Sequence, residues 1–115
     1  MVKLESLKKS NQFKKVLKEK KVHTNYFSVF AAKNFYNPKY KTNLLISFVM
    51  KKKMGNAVKR NKIRRKLKAI VQKLLKKRGA ISKDYTYIVF GKSNAYAEKQ
   101  NILMPAMIKC FNKIK

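Results

Sequence analysis

The chain has 115 residues, 45% of them hydrophobic, which is enough for one buried core and too short for two. Its 31 Lys and Arg stand against 4 Asp and Glu, a formal net charge of +27. A folded chain this cationic repels itself, so its working partner is expected to be a polyanion: nucleic acid, an anionic membrane surface or an acidic protein.

Taken in chain order, the first expected element is a short helix from Ser10 to about Lys20, with Ser10 as its N-cap and Phe13, Val16 and Leu17 on one face. A strand from Tyr26 to Ala32 follows, with Tyr26, Ser28 and Phe30 on one side and Phe27, Val29 and Ala31 on the other. Asn34 to Asn43, holding Pro38, reads as a turn. Leu44 to Met50 is nearly all apolar, which suits a strand covered on both faces and therefore requires helices against the sheet.

The clearest element is a long helix from about Asn56 to Lys77, with Gly79 as a stop signal just beyond it. Ile63, Leu67, Ile70, Val71 and Leu74 recur at helical spacing as one apolar stripe. Asp84 to Phe90 reads as the last strand and Tyr96 to Ile114 as a C-terminal helix, which Pro105 either kinks or begins. No internal repeat and no Gly/Ser/Pro-rich linker divides the chain, so one domain over 1–115 is expected.

Several chemistries are poorly served. Cys110 stands alone, so no internal disulfide forms, and it reads as a core residue of the last helix. No Cys/His cluster suits zinc. Glu5, Glu19, Asp84 and Glu98 are too scattered for a carboxylate metal site, and His23, the only histidine, has no evident partner and reads as an ordinary loop or strand residue. The opening MVKLESLKKS lacks the apolar run of a signal peptide, and no stretch reaches membrane-spanning length, which predicts a cytosolic protein.

The basic residues are concentrated where the sequence is most ordered. Lys51 to Arg78 carries 14 of the 31 and no acid. A helix built only for solubility mixes signs, because unrelieved like charges cost a few tenths of a kcal/mol each. Asn61, Arg64, Arg65 and Lys68 fall on one flank of the long helix, where helix is expected to meet sheet and border a groove. Gly55 and Asn56 precede the helix, whose free N–H groups favour a phosphate, and Lys51, Lys52 and Lys53 add charge at the same junction.

Arg60, Arg64 and Arg65 carry planar forks that hold a phosphate bidentately or stack on a base. Asn61 both donates and accepts, so it can read a base edge or hold a hydrated metal ion. Phe13 and Phe30 become stacking platforms, worth about 1–3 kcal/mol per base, if they line one concave face. Each feature taken singly has a plainer explanation, a solvated face or a core ring, and only joint placement separates the two.

At Lys52 to Lys68 the sequence reads KKMGNAVKRNKIRRKLK. This resembles the signature of the bacterial ribonuclease P protein family, a KxxGxAVxRN core followed by a basic run, with Lys52, Gly55, Ala57, Val58, Arg60, Asn61, Ile63, Arg64 and Arg65 matching. LKKSNQFKKVLK resembles the family's opening helix, and Asp84-Tyr85 before an apolar strand resembles its last strand. Three positions depart: Lys68 replaces a usual arginine, Leu17 a common aromatic, and Phe90 stands where arginine often ends the last strand.

The resemblance implies an α+β fold of ribosomal-protein-like type. It is a two-layer α/β sandwich with a mixed sheet of about four strands, an N-terminal helix, the helix bearing the RNR signature in a left-handed βαβ crossover, and a C-terminal helix. It also implies a ribonuclease P protein subunit that binds the catalytic RNA and the 5′ leader of precursor tRNA, while the RNA, holding most of the Mg2+, cleaves the leader to give the mature tRNA 5′ end. Phe13, Leu17, Tyr26, Ser28 and Phe30 are then the leader-cleft candidates. Lys52, Lys53, Gly55, Asn56, Arg60, Asn61, Lys62, Arg64, Arg65 and Lys68 are the RNA-binding set, with Asn61 able to touch a hydrated Mg2+. The free chain is expected to be monomeric and to bind no membrane. An RNA-chaperone-like module explains the charge equally well but not the ordered signature. A membrane-active protein predicts lipid-facing helices, which the aromatic strands argue against.

Overall fold

The computed structural model describes residues 3–5, 7, 10–33, 43–77, 79–82 and 84–114. The elements are β1 (Lys3–Glu5), α1 (Ser10–Lys18), β2 (Lys20–His23), β3 (Phe27–Lys33), β4 (Asn43–Val49), α2 (Ala57–Leu75), β5 (Tyr85–Gly91) and α3 (Gln100–Ile114). Short 3-10 turns at Lys52–Met54 and Ser93–Ala95 precede α2 and α3. The strands form one mixed sheet in the order β1-β4-β5-β3-β2. β4 and β5 are parallel neighbours joined by α2, and β3 runs antiparallel to both β5 and β2.

This is the expected α+β architecture with a βαβ crossover, enlarged to five strands. Periodicity overlooked β1 and β2 because three- and four-residue segments are too short to show alternation. β2 exists through its turn: the Thr24 hydroxyl accepts from the backbone N–H groups of Tyr26 and Phe27, folding the chain back so that Val22 faces Val29. That pairing also ends α1 at Lys18 instead of near Lys20. Pro105 lies inside α3 and so does not begin it; its ring nitrogen cannot donate to the carbonyl one turn back. The turn expected across Asn34 to Asn43 falls, except for Asn43 in β4, outside the described residues.

Strand alternation divides the interior in two. Phe27, Val29 and Ala31 of β3, Leu44 and Ile46 of β4, and Tyr85, Tyr87 and Val89 of β5 join the large cluster with α2 and α3. Tyr87 meets Phe111 edge-on at 4.9 Å, and its hydroxyl donates to the Ser82 carbonyl at 2.8 Å. Ala32 and Ile88 point the other way and, with Phe30, Leu45, Val49 and Phe90, meet Leu7 and Val16 of the N-terminal segment. Helices therefore cover both faces, as the apolar run of β4 required. All five stripe residues of α2 are fully buried. At about 2 kcal/mol for each buried aliphatic side chain, this outweighs the few tenths lost to each like-charge pair on the outer face.

Candidate nucleic-acid interface

With nine residues, α1 covers only part of its face of the sheet. Beside it lies a groove of about 700 Å3 lined by Leu17, His23, Ser28, Phe30 and Phe90, with Lys51, Lys53, Met54 and Lys92 among its other walls. The rings form a chain: His23 lies edge-on to Phe30 at 6.0 Å, and Phe30 lies edge-on to Phe90 at 5.4 Å. His23 Nδ1 hydrogen-bonds the Ser28 hydroxyl at 2.6 Å, which fixes the imidazole at the groove wall. Lys92 donates to the Thr24 carbonyl at 2.6 Å, holding its aliphatic stem along the end of the sheet.

Of the five expected cleft residues, the structure brings Leu17, Ser28 and Phe30 together. Phe13 does not line the groove; it is partly buried against the cluster of Leu7, Val16, Ala32 and Ile88 that Phe30 and Phe90 also join. Tyr26 is also separate. It precedes the first residue of β3, so strand alternation does not reach it, and it packs against the α2 side of the molecule. Six groove residues were not expected, Gly91 and Ser93 among them. His23 seemed to lack a partner because its partner, Ser28, is reached only through the hairpin. Phe90 supplies the ring that Leu17 lacks, and Met54 and Lys92 come from turns carrying no periodic signal.

The junction before α2 is built by glycine and asparagine. Gly55 adopts φ 142°, a conformation that L side chains rarely take, and a Cβ there would lie 2.8 Å from Lys59 Cδ. Asn56 caps the helix, its side chain accepting from the Lys59 N–H at 2.9 Å. Asn56 thus has a structural duty in addition to any contact with RNA. Gly91 ends β5 where a Cβ would collide with Met50 Sδ and Ile63 Cγ2, so its missing side chain lets α2 settle on the sheet.

Along α2 the expected groove-edge flank is corrected. Asn61, Arg65 and Lys68 are exposed and Arg64 is half-buried, and none of them lines the groove. At about 100° per residue Asn61, Arg65 and Lys68 lie away from the buried stripe and project outward, whereas Arg64 lies beside Val71 at the edge of the stripe. The contact between basic segment and groove is made instead by the turn carrying Lys51, Lys53 and Met54. Lys52 and Lys62 are exposed.

Arg64 donates to Asn61 Oδ1 at 2.6 Å, which aligns the two one turn apart. Arg60 sits half-buried at the N-terminal end of the stripe, its Nε buried without a hydrogen-bond partner. Lys66 has a different task. Its ammonium donates to the carbonyls of Ala95, Tyr96 and Glu98 at 3.4, 2.5 and 2.9 Å, bolting α2 to the segment before α3. Desolvation lowers its pKa, nearby Lys62 lowers it further, and Glu98 opposes both.

Among the described residues no group of three or more His, Cys, Asp or Glu stands together as a metal site. Asn61 Oδ1, already accepting from Arg64, has one remaining lone pair, which suits a water on a hydrated ion and not a bare cation. Among the same residues no helix is long and apolar enough to cross a membrane.

The fold is shared with solved ribonuclease P proteins. The Staphylococcus aureus protein superposes with a TM-score of 0.73 at 24% identity, covering 96% of this chain and 94% of that one. The Thermotoga maritima protein gives 0.75 at 22%, covering 96% and 98%. In sequence, the ribonuclease P protein component of Mycoplasma mycoides subsp. mycoides is 28% identical over 109 residues, 95% of this chain and 94% of its own length. The family model for ribonuclease P matches residues 1–115, and the chain belongs to the ribonuclease P protein family. Membership carries a role in tRNA 5′ processing within an endoribonuclease complex.

Proposed function

We propose that the chain binds the catalytic RNA through the outward face of α2 and the Lys51–Met54 turn, and holds the 5′ leader of precursor tRNA in the aromatic groove. The observation that carries this reading is the groove itself: His23, Phe30 and Phe90 in edge-to-face contact, walled by Lys51, Lys53 and Lys92. Rings flanked by cations suit an unpaired strand, because bases stack on the former while phosphates meet the latter. Arg65, Lys68 and Lys52 are exposed and placed to neutralise phosphates, and Arg60 and Arg64, half-buried, present their forks at fixed positions.

Cleavage belongs to the RNA in this proposal. Mg2+, bound to that RNA, would supply an activated water for hydrolysis of the phosphodiester. Among the described residues no group of three or more His, Cys, Asp or Glu offers a ligand set for the ion, and Asn61 would reach it through a bound water. What the chain does is position the leader and lower the electrostatic cost of bringing two RNAs together, in the cytoplasm where tRNA matures.

The test uses the holoenzyme reconstituted from catalytic RNA and chain at low magnesium. Addition of the chain is expected to raise precursor cleavage, and Phe30→Leu is expected to weaken precursor tRNA about tenfold while sparing mature tRNA, which has no leader. Leucine keeps most of the apolar volume, so the loss reports stacking more than packing. Equal weakening of both tRNAs, or RNA binding without any stimulation of cleavage, returns the chain to a general RNA-binding module.

A further inference from the structure

A second hollow, of about 480 Å3, lies round the end of the sheet from the groove. Its walls include Tyr26, Lys59, Ser93, Asn94, Tyr96 and Glu98. Ser93 lines the groove as well, so the two concavities share a rim. The ammonium groups of Lys59 and Lys62 stand 5.3 and 4.8 Å from the centre of the Tyr96 ring. Asn94 donates through Nδ2 to the Asn25 carbonyl at 3.1 Å, which leaves its Oδ1 as an acceptor. Glu98 is partly engaged, one carboxylate oxygen accepting from the Lys99 N–H at 3.2 Å.

We propose that this hollow is a second nucleotide subsite, taking an unpaired nucleotide farther along the strand that fills the groove, with its base on Tyr96 and its phosphate between Lys59 and Lys62. The inference rests on the groove reading given above and deepens it. A ring with two cations beside it is what a nucleotide needs and an acidic peptide does not: the peptide uses the ammonium groups and leaves the ring without a partner. The lysines now over the ring satisfy it in the free chain, and an incoming base replaces them at the ring while its phosphate receives their charge. Lys66 fixes the geometry from behind, because its bonds to the carbonyls of Ala95, Tyr96 and Glu98 hold the Tyr96 segment against α2.

The experiment measures affinity of the reconstituted holoenzyme for precursor tRNAs whose leaders are lengthened one nucleotide at a time. The unaltered chain is expected to gain affinity in two separate steps, the first for the groove and the second for the hollow. Phe30→Leu should reduce the first. Tyr96→Leu should remove the second, about tenfold for one stacked base, while Tyr96→Phe retains it. Lys59→Gln, a change on the helix surface, should shrink the second step and its salt dependence without relying on the tyrosine's packing; circular dichroism and thermal unfolding confirm that each variant folds. A second step that survives Tyr96→Leu and Lys59→Gln overturns the proposal. So does weakened binding to the catalytic RNA alone, which would assign the hollow to that RNA and not to the leader. Absence of the first step in the unaltered chain sinks the groove reading itself, an outcome distinct from loss of the second step only.

Discussion

Single residues in this chain divide their work between holding the fold and facing a partner, and the two can be separated by measurement. Arg65 is exposed on the outward face of α2. Arg65→Ala should weaken RNA binding and reduce the slope of log affinity against log salt by about one, as loss of one phosphate contact does; titrations at several salt concentrations read this directly. Cys110 is the opposite case. Burial pushes its thiol up to about 11, Lys113 pulling only weakly the other way, and burial likewise raises the Tyr87 phenol, with Tyr85 adding to the effect.

Both are acids that hold their protons longer folded than unfolded, so their contribution is complete below the unfolded thiol value of about 8.5 and is lost as pH rises toward the folded one. Urea midpoints should therefore fall between about pH 9 and 11, and thiol reagents at pH 8 should label the folded chain far more slowly than the unfolded one. At this scale sequence reasoning placed Cys110 in the core and allowed His23 a strand position, but it missed the partner of His23. Core membership follows from periodicity, whereas the His23 bond to Ser28 depends on a hairpin that local sequence does not announce.

Elements repeat the contrast. The α2 stripe was legible to the residue because nineteen helical residues give several turns of repetition. β1 and β2 give none, and the basic flank of α2 was placed at a groove edge because spacing gives an angle about the helix axis but not what lies beside it. Two substitutions probe how α2 is held. Asn56→Ala removes the cap on the Lys59 N–H and should cost about 1 kcal/mol in urea unfolding, with Asn56→Asp retaining most of it. Gly91→Ala places a methyl group against the side chains of Met50 and Ile63 and should cost about 1–3 kcal/mol, because both are packed in the core and must shift to admit it.

For the whole molecule, the net charge of +27 is the dominant fact. Self-repulsion opposes compaction, and screening relieves it. The thermal midpoint should rise as salt is added, and sulfate should raise it more than chloride at equal ionic strength if phosphate-like anions settle on the α2 junction. No such difference between the two anions would mean that the charge is diffuse and the junction holds no anion.

Among the described residues the sheet ends at β2, whose outer backbone has no neighbouring strand there and whose Lys20, Lys21 and His23 are exposed. Two copies meeting there would bring like charges face to face, and lysines on an unpaired strand are a common defence against runaway self-association. If bound RNA neutralises the rest of the surface, as proposed, these edge lysines remain as a local source of repulsion between copies.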